Sequence, residues 1–199
     1  MRRWLVRLVL VSPWMTILPL AVADRETTTA HGMHAVEAIP EAPLADGFDF
    51  PVGPPDAQGY YNAQGFGQDR HLGEDWNGLG GGDSDYGDPV HAIGDGVVSF
   101  AAHLPGNWGN VVRIVHRYQE GETVHAVESL YAHLSGYTVG VGDVVTRGEQ
   151  IGRIGDADGA YIAHLHLELR METGMSIGPG YSESTRGYLS PTAFISARR

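Results

Sequence analysis

The seven residues from His164 to Arg170, HLHLELR, alternate without exception between polar and leucine side chains. Only an extended strand puts residues two apart on one face, so the pattern predicts Leu165, Leu167 and Leu169 against a core and His164, His166, Glu168 and Arg170 on the opposite face. Four more segments read as strands between Gly-containing turns: 89–100, 110–118, 123–133 and 142–154. With 28 Gly and 11 Pro in 199 residues and no low-complexity repeat, tight turns are abundant. The expected fold is mostly β: a single sandwich or barrel-like domain of short antiparallel strands.

Ahead of these strands the chain changes character. Arg2, Arg3 and Arg7 precede an apolar stretch that closes on Ala21-Val22-Ala23, the layout of a cleavable secretory signal peptide over residues 1–23. The stretch carries Pro13 and Pro19 and falls short of the ~20 apolar residues of a spanning helix, so no stable membrane insertion is expected after cleavage. Residues 24–55 are rich in Ala, Pro, Thr and acids and read as a linker or pro-segment, with the folded domain expected over 56–199. His31 and His34 in that segment read as plain surface. The expected location is periplasmic or extracellular.

Composition narrows the chemistry. The net charge is −11, and −14 without the three Arg of residues 1–23; all thirteen cations are Arg. Such a chain lacks the basic footprint of a nucleic-acid binder, and no nucleic-acid partner is expected. With no Cys, disulfides, thiolate zinc sites and thiol nucleophiles are excluded. Any metal must be held by His and carboxylate.

Three groups supply such donors: His71 with Asp75 in HLGED, His133 in YAHL, and His164 with His166 in HLH. On a strand, the two histidines of an HxH project from one face ~6.5–7 Å apart, whereas a helix would turn them apart. Two imidazoles and one carboxylate form a tripod for zinc that leaves a coordination position open, as catalytic sites require. Strand geometry does not say which histidine of the HLH is the ligand. His91, His103, His116 and His125 lack a second donor at suitable spacing and read as structural or surface residues. The loop 77–88 (NGLGGGDSDYGD) matches no calcium motif and reads as solvated rather than as a site built on Asp83, Asp85 and Asp88.

Taken together, HxxxD, a lone His and HxH in that order resemble the LytM/lysostaphin-type zinc metallopeptidases, the M23 family of peptidoglycan hydrolases. The resemblance extends from about Phe66 to Met171 and includes GFGQDRHLGEDW, GDPVHAIGDGVV, NWGNVVRIVH, YAHL, VGDVVTRGEQIGRIG and HLHLE. It implies a duplicated hybrid-motif β fold and one zinc ion (Zn2+) per chain on His71, Asp75 and His166. It also implies His133 and His164 as catalytic residues, zinc-bound water as nucleophile, and peptidoglycan peptides as substrate. Glu168 is implied to support the site rather than act as base. Many relatives carry Gly-Pro directly before the HxH, where this chain has Ile162-Ala163, and Phe where it has Leu167; both bear on the shape of the substrate groove. An inactive wall-binding relative is disfavoured by the presence of all five residues. A carrier domain built on the motif near 141–154 is excluded, because it would need a modifiable Lys.

Overall fold

The structure is a computed structural model, and it describes residues 42–199; the expected signal peptide, His31, His34 and residues 24–41 of the expected linker lie outside the described residues. The strands are β1 (Tyr60–Gln64), β2 (Glu74–Gly78), β3 (Pro89–His91), β4 (Gly96–Leu104), β5 (Gly109–Glu120) and β6 (Thr123–Leu134). They continue with β7 (Gly136–Tyr137), β8 (Val144–Val145), β9 (Gln150–Arg153), β10 (Leu165–Arg170) and β11 (Tyr188–Leu189), and one short helix, α1 (Pro191–Ser196), closes the chain. The large sheet runs β1-β2-β10-β6-β5-β4-β8 with β11 added beside β10, and a small sheet runs β3-β9-β7; every pairing within them is antiparallel. The expected mostly-β class therefore holds, with no closed barrel. Among the described residues no helix is long and apolar enough to cross a membrane.

Two segments expected as single strands are each divided. The stretch 89–100 separates into β3 and β4 at Gly94-Asp95, where the chain passes close to the Phe48 ring: a Cβ on Gly94 would lie 2.9 Å from it. Strand 142–154 separates into β8 and β9 around a turn in which the Glu149 carboxylate accepts the Thr146 N–H at 2.9 Å.

The packed body begins before residue 56. Phe48, Phe50 and Val52, at period two, are buried in the main core with Trp76, Val98, Ile114, Leu165, Leu167 and Leu169. Phe48 packs edge-on against Phe194 of α1, with ring centroids 4.8 Å apart, and its N–H donates to the Arg198 carbonyl at 2.9 Å. The linker reading of residues 42–55 is corrected accordingly: acids and prolines dilute the composition, but the aromatic positions are core positions. The C-terminal segment also gains a definite form. Ser190 caps α1 with Pro191 at its first position, and the buried Glu74 carboxylate accepts from Ser190 Oγ and from Thr192 N–H and Oγ1.

Candidate metal centre

Strand pairing brings the donors together. β2 and β10 run antiparallel with Asp75 directly opposite His166, and β6 lies on the other side of β10 with Ala132 opposite His166. His133 follows Ala132 with φ +63°, a left-handed conformation unusual for a residue with a Cβ. Its backbone N–H donates to the Trp108 carbonyl at 3.0 Å and its Nδ1 lies 3.4 Å from the same oxygen. The segment before β2 is drawn in by Gly73, where a Cβ would sit 2.6 Å from the Leu167 carbonyl and 2.8 Å from the His166 ring. Any other residue there would push His71 and Asp75 away from β10.

His71 Nε2, Asp75 Oδ1 and His166 Nδ1 form a compact triangle: 3.0 Å between the two imidazole nitrogens, 3.4 Å from His71 to Asp75 and 2.9 Å from His166 to Asp75. Among the described residues this is the one group of three or more His, Cys, Asp or Glu with ligand atoms close enough to share a metal ion. Tetrahedral zinc with bonds of ~2.0–2.1 Å needs ligand atoms ~3.3 Å apart, so the triangle and its donor types fit that ion.

The two histidines of the HLH are held differently. His166 Nε2 donates to Glu168 Oε1 at 3.2 Å, which turns Nδ1 toward Asp75 and His71. Glu168 is in turn gripped by Arg170, through bonds of 2.8 and 2.6 Å, and Arg170 donates onward to the Ser176 and Ile177 carbonyls. His164 instead donates Nδ1–H to the Ile162 carbonyl at 2.7 Å, leaving Nε2 3.7 Å from Asp75 Oδ1. Its ring centroid lies 4.8 Å from that of His133, and His133 lies 5.4 Å from His166. The structure thus brings all five sequence-predicted residues to one place.

The titratable groups of the centre are shifted in opposite directions. Burial works against a charge on His166, but hydrogen bonds and charges from Asp75 and Glu168 outweigh it and carry its pKa up to about 9. Burial works against the Asp75 carboxylate too, yet His166, His164 and His71 hold its pKa below the usual value. Burial, followed by repulsion from His166, lowers His71. Burial, followed by His166 and His164, pushes His133 down to about 3 and keeps it neutral.

The centre opens into a cleft of about 400 Å³ walled by Trp108, Tyr161, Tyr181 and Pro179. A second hollow of about 410 Å³, lined by Tyr61, Asn77, Gly82 and Ile162, continues from it across Asp75 and His164. Tyr181 packs against His71 with ring centroids 5.0 Å apart and planes tilted by 30°, and donates to Gln64 Oε1 at 3.1 Å. Sequence reasoning missed Trp108, Tyr161 and Tyr181; a lone aromatic inside a Gly-rich turn is the signal each of them carries. The three aspartates of loop 77–88 hold separate structural bonds. Asp83 accepts from Ala163 N–H, Asp85 from Gly78 N–H and Asp88 from Tyr60 Oη. Of the histidines read as structural or surface, His116 is fully buried and bonded at both nitrogens, to the Asp95 carbonyl and Ser129 Oγ.

Comparison with known proteins identifies the family. DD-carboxypeptidase/endopeptidase Mpg of Neisseria meningitidis serogroup B is 39% identical over 93 residues, covering 47% of this chain and 19% of Mpg. Cell division protein DipM of Caulobacter vibrioides is 32% identical over 84 residues, covering 42% of this chain and 13% of DipM. The alignments thus span a fifth or less of these curated relatives. The solution structure of lysostaphin superimposes with a TM-score of 0.52 at 26% identity, over 69% of this chain and 51% of that one. The model of peptidase family M23 matches residues 74–179, a span that holds Asp75, His133, His164 and His166 and begins three residues after His71. Over half its length the chain carries this family's pattern, and it belongs to peptidase family M23.

Proposed function

We propose that the chain is an exported zinc endopeptidase that hydrolyses peptide bonds in bacterial cell-wall peptidoglycan. The observation that carries this reading is the convergence of His71, Asp75 and His166 beside His133 and His164 at the floor of an aromatic-walled cleft. Kinship with a DD-carboxypeptidase/endopeptidase and with lysostaphin supports the substrate class.

His71 Nε2, Asp75 Oδ1 and His166 Nδ1 would hold the zinc. Bound there, zinc supplies a Lewis acid that lowers the pKa of water toward ~7 and polarises a peptide carbonyl. Glu168 keeps the His166 tautomer with Nδ1 inward, and Arg170 keeps Glu168 ionised and in place. His133 and His164 both point Nδ1 at a backbone carbonyl, so each ring in its neutral form offers the cleft the lone pair of Nε2. That nitrogen accepts a proton from the attacking water and, once protonated, donates to the developing oxyanion or the departing amine. Trp108, Tyr161 and Tyr181 flank the cleft and hold an extended peptide across it.

The test is a digest of purified peptidoglycan by the zinc-loaded protein, read by mass spectrometry. New amino and carboxyl ends within the peptide part, abolished by a chelator and restored by zinc, are expected. Unchanged fragments from protein holding one zinc per chain would overturn the substrate assignment. Export is checked separately by N-terminal sequencing of the mature protein, which is expected to begin at Asp24.

A further inference from the structure

One peptide group links loop 77–88 to His164. The peptide between Ile162 and Ala163 points its two polar ends in opposite directions: its C=O accepts Nδ1–H of His164 at 2.7 Å, and its N–H donates to Asp83 Oδ1 at 2.8 Å. The plane of a trans peptide is rigid, so fixing the N–H fixes the direction of the C=O. A carboxylate accepting from the N–H also polarises the unit and makes its oxygen a stronger acceptor.

The loop that carries Asp83 is anchored on both sides. At its start, the buried Asp85 accepts Gly78 N–H at 2.8 Å. At its end, Gly87 N–H donates to the Ile154 carbonyl at 2.9 Å and Asp88 accepts from Tyr60 Oη at 2.6 Å. The next peptide is held independently, with Asn77 Nδ2 donating to the Ala163 carbonyl at 3.0 Å. Ile162 is 61% exposed, and Tyr161, 39% exposed, sets its ring against His133 and His164 with centroids 5.1 and 5.7 Å away. A proline at position 163 would have no N–H to give; here residue 163 is Ala and its N–H has a dedicated acceptor.

We propose that Asp83 is a positioning residue for His164, acting through the Ile162–Ala163 peptide group. It holds the carbonyl that selects the Nδ1–H tautomer of His164 and so keeps Nε2 presented to the cleft. This rests on the reading of His164 as catalytic.

The experiment compares Asp83→Ala, Asp83→Ser and Asp83→Asn in the zinc-loaded protein. Ser is too short to reach Ala163, while Asn keeps an oxygen at the same distance and loses the charge. Zinc content, thermal midpoint, kcat and KM on a soluble peptidoglycan fragment are measured, together with the His164 tautomer by ¹⁵N NMR of the ring. In the Ala and Ser variants, kcat is expected to fall roughly tenfold with KM within about twofold and zinc at one per chain. Their His164 is expected to change from a single Nδ1–H tautomer to a mixture, and Asn is expected to restore most of both. An unchanged tautomer in whichever of the Ala and Ser variants folds overturns the proposal, as does an equal loss in all three that follows only the thermal midpoint. A changed tautomer with full kcat, in company with an active His164→Ala, overturns the catalytic reading of His164 and leaves the link from Asp83 standing.

Discussion

The Trp108 carbonyl takes two contacts from His133, one from its backbone N–H at 3.0 Å and one from Nδ1 at 3.4 Å, while the indole stacks on the imidazole at 29°. A single oxygen thereby holds both the left-handed backbone of His133 and the orientation of its ring. Replacing His133 with Ala is expected to leave one zinc per chain and to lower kcat by about 10² to 10⁴, the reach of one acid, base or oxyanion donor. Metal analysis alongside steady-state kinetics checks this, and loss of zinc would move His133 into the ligand set.

Removing a ligand has a different signature. Asp75→Ala and His166→Ala are expected to lose zinc altogether under dialysis, because two remaining protein donors bind far more weakly. Glu168→Gln keeps the ligands but weakens the acceptor that fixes the His166 tautomer, and zinc affinity is expected to fall about 10- to 100-fold. Competition with a chromophoric chelator measures both.

Phe48 joins the first described strandless segment to α1. Truncating it to Ala removes a fully buried ring packed on Phe194, His116 and Tyr118, and is expected to cost about 3–5 kcal/mol in urea unfolding. A chain begun at Asp56 lacks Phe48, Phe50 and Val52 and is expected to be unfolded. The informative truncation is therefore at Ala42, and equal peptidoglycan-cleaving rates for chains beginning at Asp24 and Ala42 are expected if residues 24–41 act only as a tether.

His116 makes stability depend on pH. Burial holds it down at about 4, against an ordinary value of 6.5. Its Nδ1–H donates to the Asp95 carbonyl, so Nε2 must accept from Ser129 Oγ, which lies 3.1 Å from Tyr131 Oη. Between these two pH values the unfolded chain binds the proton and the folded chain does not. Its contribution is therefore complete above pH 6.5 and is lost as pH falls toward 4, by about 3 kcal/mol at ~1.4 kcal/mol per pH unit. Unfolding midpoints across that range, with the His116 ring signals followed by NMR, are expected to show the decline without a His116 titration above pH 5.

Much of the site was legible because its donors fall in short motifs and their chemistry is rare. HxH on an alternating strand, HxxxD far ahead of it in the chain and a lone YAHL histidine between them singled out all five side chains before any fold was known. The choice between His164 and His166 was not legible, since it depends on partners outside the strand's own pattern, Glu168 held by Arg170 in one case and the Ile162 carbonyl in the other. The alternation of β10 also predicted a polar face without predicting that it is buried. Arg170 is 0% exposed because residues 175–177 fold over it and offer three carbonyls. Trp108, Tyr181 and Asp83 enter the site by loop closure, which no local periodicity records. The Phe48, Phe50, Val52 alternation was present and was outweighed by the acids and prolines around it.

The bond from Phe48 N–H to the Arg198 carbonyl ties the segment before β1 to the residue two places beyond α1. The two are therefore latched to each other as well as to the core, and hydrogen exchange in residues 48–52 and in α1 is expected to report one shared opening instead of two separate ones.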